Sequence, residues 1–208
     1  MIKIHPISKA SAILTLFAIV TTGLVTATHI LTKDKIATEK NNAVLKSINQ
    51  IMPKSLYNNE ITSDCRLFTD PNQQTIRVFR ARLNDQPTGM VIESIAPDGY
   101  NGRIDLLIGL NSNHEIQGVR STSHNETPGL GDKIEFKKSR WITFFNGLTV
   151  NESNIKSWAV RKDGGQFDQF TGATITPRAV VKSVKESLLW VKQQNQIFEL
   201  PSNCGENK

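Results

Sequence analysis

The chain has little of what most enzyme chemistry requires. Its 208 residues hold two cysteines, Cys65 and Cys204, which do not form a C-x-x-C pair, so neither a zinc knuckle nor a thioredoxin-like site is available. Its four histidines, His5, His29, His114 and His124, form no H-E-x-x-H, and no metal site is expected. There is no G-x-S-x-G elbow and no P-loop, and Gly129-Leu130-Gly131 lacks the third glycine of a dinucleotide fingerprint, so hydrolase and nucleotide-binding readings lose support. Internal repeats and low-complexity tracts are absent too. The formal charge of +6 comes from Lys and Arg scattered among acids, without an aromatic-rich RNA-binding motif, so no nucleic-acid partner is expected. What remains, at 38% hydrophobic and 21% charged, is enough apolar side chain for a folded core.

One uncharged run stands out. Ala10 to Thr32 lies between Lys9 and Lys33 and is close to the roughly 20 residues a helix needs to cross a bilayer. Its several threonines can return their hydroxyls to the helix's own carbonyls. Lys3 and Lys9 precede it with no acid nearby, which places residues 1–9 in the cytoplasm and the body outside. A cleaved signal peptide is the competing reading, since Val25-Thr26-Ala27 offers small residues for a peptidase. The uncharged stretch continues past that point to Thr32, which favours a retained anchor over residues 10–32. Export under either reading permits a disulfide between Cys65 and Cys204, worth up to roughly 5 kcal/mol by loop-closure entropy. Two unpaired thiols are the alternative.

In the body, Ile36, Val44, Leu45, Ile48 and Ile51 recur at partly helical spacing up to Pro53, giving a helical linker over 33–60. Thr75–Leu83, Gly89–Ala96, Arg103–Leu110 and, more weakly, His114–Arg120 read as strands. In the third, Ile104, Leu106, Ile108 and Leu110 alternate with Arg103 and Asp105, the pattern of a half-buried strand. Short turns without intervening helices predict an α+β domain with a mainly antiparallel sheet over 61–208. Ser121 to Asp132 reads as a long irregular polar loop. The stripe Val180, Val181, Val184, Leu188, Val191 predicts a C-terminal helix with Thr176 as N-cap and Pro177 at its first position.

Chemistry converges just before that helix. In Thr171-Gly172-Ala173-Thr174-Ile175-Thr176-Pro177-Arg178, small residues leave room beside the free N–H groups and positive dipole end of a helix start, a setting that collects anions such as phosphate. Arg178 opposes that dipole unless an anion is near. The plain alternative is a small-residue turn with Arg178 in water. Local physics does not choose among the hydroxyls of Thr171, Thr174 and Thr176, although N-capping would occupy that of Thr176.

The order Asp168-x-x-Thr171-Gly172-Ala173-Thr174-x-Thr176 resembles the flavinylation motif of proteins carrying FMN in phosphoester linkage to threonine. With His124-x-Glu126-Thr127-Pro128-Gly129-Leu130-Gly131-Asp132 upstream and one N-terminal apolar segment, the chain is similar to the G subunit of Rnf-type (Rsx-type) electron-transport complexes over nearly its whole length. The resemblance implies that a periplasmic flavin transferase attaches FMN to Thr174, with Thr171, Gly172, Ala173, Thr176 and Arg178 around the phosphate and Glu126, Thr127, Pro128, Gly129, Leu130 and Gly131 bordering the flavin ring. It further implies an electron-transfer subunit of a redox-driven ion translocase in the bacterial inner membrane, with other membrane subunits of that complex as partners. An exported anion-binding or assembly module without a redox role is the alternative.

Overall fold

A computed structural model describes residues 6–70, 72–194 and 196–204; residues 1–5 of the expected cytoplasmic segment and 205–208 at the far end lie outside them. The chain divides into two units, residues 1–43 and 44–208.

Helix α1 runs Pro6–Ile51. Within the first unit its side chains are exposed almost throughout, Leu14, Phe17, Ile19, Leu24 and Leu31 included, and it is long and apolar enough to cross a membrane. The Thr15, Thr21, Thr28 and Thr32 hydroxyls donate to the carbonyls of Ser11, Phe17, Leu24 and Thr28 at 2.8–2.9 Å, so these polar groups are satisfied without water.

The second unit is built on a five-stranded antiparallel meander: β1 (Cys65–Thr69), β2 (Thr75–Leu83), β3 (Gln86–Ala96), β4 (Ile104–Asn111) and β5 (Ile116–Ser123), in that spatial order. Helix α2 (Ile175–Val191) covers one face. The fold is thus the α+β arrangement with an antiparallel sheet and a C-terminal helix. Strand β1 had no signal in the alternation, and β5 extends to Ser123, taking three residues from the segment expected to be irregular.

Side-chain alternation sends successive strand residues to two different cores. Val78, Ile92, Leu106, Ile108 and Val119 pack with Val180, Val184 and Leu188 of α2 and with Trp141, Phe145, Trp158 and Phe167. Phe79, Ala81, Val91 and Leu107 point the other way, onto Ile48, Ile51, Met52 and Tyr57. Strand β4 is therefore buried on both faces, not one. Cross-strand partners Gly109 and Gly118 make this second face possible at its centre: a Cβ on Gly118 would lie 2.9 Å from Cβ of Ile51, so only the missing side chain admits the helix end.

The C-terminal tail lies along β1. Asn203 N–H donates to the Cys65 carbonyl (3.2 Å), Leu67 N–H donates to the Asn203 side chain (2.8 Å), and the Ser202 hydroxyl bridges Cys65. A disulfide joins Cys65 to Cys204, with Cα atoms 5.6 Å apart and a sequence separation of 139. Loop-closure entropy for such a span gives up to about 5 kcal/mol. Reducing the detergent-solubilised chain, or substituting Cys204→Ser, is expected to lower the unfolding free energy by an amount approaching that value, read from urea titrations with and without reductant.

Candidate functional site

Two glycine turns face each other. In the first, Leu130 N–H donates to the Thr127 carbonyl (3.1 Å) with Pro128 and Gly129 between them, and Gly129 has φ 77°. In the second, Ala173 N–H donates to the Phe170 carbonyl (3.2 Å) across Thr171 and Gly172, and Gly172 has φ 80°. A positive φ at the third position is what a type II turn demands and what glycine supplies without strain. The turns touch: a Cβ on Gly172 would sit 3.3 Å from Cδ2 of Leu130. Behind the second turn, the Trp141 indole N–H donates to the Asp168 carbonyl (2.7 Å) and its ring meets Phe170 edge-on, holding the approach to α2 against the aromatic core.

A third segment completes the arrangement, the turn between β3 and β4. There Asn101 N–H donates to Oε1 of Glu126 (3.1 Å) and the Asn101 side chain to the Asn125 carbonyl (2.8 Å). The other carboxyl oxygen of Glu126, a residue only 4% exposed, accepts from the Thr176 hydroxyl. Glu126 therefore ties the β3–β4 turn, the segment after β5 and the first turn of α2 to one another. Gly131 has to be small here, since a Cβ would lie 2.7 Å from Thr176 Oγ1.

Between these segments lies a cleft of about 250 Å³ lined by Tyr100, Glu126, Thr127, Leu130, Gly131, Gly172, Ala173, Thr174, Ile175 and Thr176. Eight of the residues singled out from sequence thus come together. Thr171, Pro128 and Gly129 shape the turns but do not line the cleft. Tyr100 and Ile175 line it unannounced by any sequence signal.

The three threonines are now distinct. Thr176 is 0% exposed and spends its hydroxyl on Glu126, so it is not the N-cap; α2 begins at Ile175, and Thr174 occupies the capping position. Pro177 stands two residues further into the helix than expected, still within the first turn, whose N–H groups lack intrahelical partners anyway. Thr171 is exposed outside the cleft. Thr174 is half-buried in the cleft wall, and among the described residues its hydroxyl has no hydrogen-bond partner and makes no cap. Arg178 turns away from the cleft, where its guanidinium forks onto Asp163 at 2.5 and 2.7 Å and holds that carboxyl below its usual range. The anion expected near Arg178 is thus a side chain of this protein.

The wall behind the first turn is electrostatic. Asp132, 3% exposed, pairs with Lys138 at 2.6 Å, and Lys138 also reaches Glu135 (3.4 Å). Lys138, followed by the Gly129 backbone, holds the Asp132 carboxyl below its usual range, and Asp132 in turn raises Lys138. His124 accepts from Glu126 N–H through Nδ1 (3.1 Å), with Nε2 3.3 Å from Glu135.

The family model for the FMN-binding domain matches residues 99–189, and that for the RnfG N-terminal region matches residues 1–51. The chain is 48% identical over 206 residues to the G subunit of the ion-translocating oxidoreductase complex of Vibrio atlanticus (strain LGP32), covering 97% of this chain and 99% of that protein. It is 49% identical over 201 residues to the protein of the same description from Aliivibrio fischeri (strain MJ11), covering 94% and 96%. To that from Shewanella baltica (strain OS223) it is 43% identical over 208 residues, covering 98% of each.

Two outcomes follow from this geometry. Glu126→Ala strands the buried Thr176 hydroxyl and is expected to cost about 1–3 kcal/mol in urea unfolding followed by tryptophan fluorescence, with Glu126→Gln, which keeps an acceptor, costing less. The Asp132–Lys138 pair steadies the cleft loop with a defined pH window. A depressed carboxyl contributes fully above its ordinary value and is lost as pH falls through the folded one, while a raised lysine contributes fully below its ordinary value and is lost as pH rises through the folded one. The contribution should be flat between about pH 4 and about pH 10 and fall away outside. Hydrogen exchange at residues 127–132 should show that profile, and Lys138→Met should flatten it.

Proposed function

The chain belongs to the family of G subunits of ion-translocating oxidoreductase complexes, and from that premise we propose that it is a membrane-anchored flavoprotein carrying electrons within such a complex, with FMN held as a phosphoester on Thr174. The observation that carries the reading is the unpartnered Thr174 hydroxyl in the cleft wall at the start of α2, inside the segment matched by the FMN-binding domain.

The residues present suit the group. Gly172 and Ala173 leave the backbone approachable, and the first-turn N–H groups of α2 together with its dipole stabilise a phosphodiester placed on Thr174. At about 250 Å³ the cleft falls below the roughly 300–1,000 Å³ of pockets that enclose most of a ligand, so it shelters only part of a flavin. A covalent bond supplies the retention that enclosure does not. When bound, FMN supplies one- and two-electron transfer. Glu126 and Thr176 fix the helix start and so the position of Thr174, while Leu130 and Ile175 offer apolar contact. Attachment calls for a periplasmic flavin transferase that joins the FMN half of FAD to Thr174 Oγ1 with release of AMP.

Residues 10–32 of α1 serve as a single-pass anchor in the bacterial inner membrane, with residues 1–9 cytoplasmic, 33–43 a helical linker, and the periplasmic FMN-binding domain starting at residue 44, earlier than the expected 61, because Ile48, Ile51, Met52 and Tyr57 are part of its second core. Other membrane subunits of the complex are its partners, and tethering keeps the flavin near them at high effective concentration. The charge pattern around α1 and the helix-satisfied threonine hydroxyls support this placement.

Intact-mass measurement on chain made with the transferase should find an increment of one FMN less water that survives denaturation, and Thr174→Ala should lose it. A wild-type chain that releases everything on denaturation would instead fit an exported anion-binding or assembly module.

A further inference from the structure

The chain contains five electron-rich aromatic rings, two tyrosines and three tryptophans. Tyr57, Trp141, Trp158 and Trp190 are each at most 8% exposed and belong to the cores. Tyr100 is 67% exposed, and it stands at the cleft that Thr174 lines.

The backbone beneath Tyr100 is fixed on both sides. Asp98 pairs with Lys182 of α2 at 2.6 Å, and Asn101 is bonded to Glu126 and Asn125. At Gly99 a Cβ would come within 2.9 Å of Glu126 Oε1, so the turn approaches the buried carboxyl as closely as glycine allows. The fold thus sets the origin of the phenol ring while leaving its face uncovered. Leu130 and Ile175, 40% and 43% exposed, come to the same cleft from the other two segments. Three exposed apolar side chains from three separate segments meet at one cleft, whereas single exposed hydrophobes are ordinarily scattered.

We propose that Tyr100 is a cofactor-contacting residue whose phenol ring closes the cleft over the isoalloxazine ring of the flavin, with Leu130 and Ile175 as its apolar counterparts. The proposal rests on the reading that Thr174 carries FMN. A flat aromatic system beside a phenol adopts offset stacking or an edge contact, and either puts the two rings close enough for electron exchange. An excited flavin in such contact takes an electron from the phenol and returns it, which quenches its emission. Phenylalanine has the shape but is too poor a donor to do so.

The test uses full-length protein in detergent, made with the flavin transferase, with intact mass and flavin fluorescence lifetime read on the same samples. Tyr100→Phe and Tyr100→Leu should keep the FMN adduct and raise the emission several-fold by removing a short lifetime component, while Tyr100→Trp should stay quenched. Phe144→Leu, at an exposed aromatic outside the cleft lining, should change nothing. Equal lifetimes in wild type, Tyr100→Phe and Tyr100→Leu, all carrying the adduct, would overturn the contact and leave the Thr174 reading intact. A wild type without adduct would overturn the Thr174 reading, and this proposal with it.

Discussion

The cleft exists because one buried carboxyl group is shared. Glu126 has water on almost none of its surface, and among the described residues it forms no ion pair. Its two oxygens are satisfied by the Thr176 hydroxyl and the Asn101 backbone, groups 50 and 25 residues distant in sequence. A buried acceptor left without a donor costs about 1–3 kcal/mol, so neither neighbour can drift without penalty. Because the Thr176 hydroxyl is consumed inside, the first turn of α2 is oriented with Thr174 toward the cleft. The same bond therefore buries one threonine and presents another, beside the two turns whose positive φ at Gly129 and Gly172 shapes the cleft.

Much of this was legible in the sequence, and the limits have physical causes. Alternation found β2 with its ends correct and located β3 to β5 within a few residues, because a half-buried strand leaves a period-two trace and a doubly buried one an apolar run bounded by turn residues. Strand β1 left none: five residues, Cys65-Arg66-Leu67-Phe68-Thr69, at an edge mostly half-buried, are too few and too uniform. The second core was invisible for another reason. Leu107 and Gly109 look out of phase in a half-buried strand, and only the packing of Ile48 and Ile51 explains them.

The site was legible as a motif but not as a geometry. The pairing of small residues with a helix start pointed to Gly172, Ala173, Thr174 and Thr176, which line the cleft, whereas Glu126, Thr127, Leu130 and Gly131 entered only through the family resemblance. The helix nevertheless starts earlier than Thr176-Pro177 suggests, because Thr176 has a stronger partner than the helix backbone and proline is tolerated anywhere in the first turn. Arg178 was expected beside the phosphate, but it pairs with Asp163, 15 residues away at the end of a short 3-10 turn, a partner that no local pattern marks. Tyr100 carried no signal, being an ordinary turn residue until the fold brings Glu126 beneath it.

The tail bound along β1 has one more effect. A strand at the border of a sheet is a template on which a stranger's strand can grow, and folded proteins suppress such growth by occupying or twisting the border. Here Asn203 and Ser202 take up main-chain positions of Cys65 and Leu67, and the crosslink to Cys204 keeps them there. Association with neighbouring subunits through this margin by strand donation is thereby closed off, which leaves recognition there to side-chain surfaces.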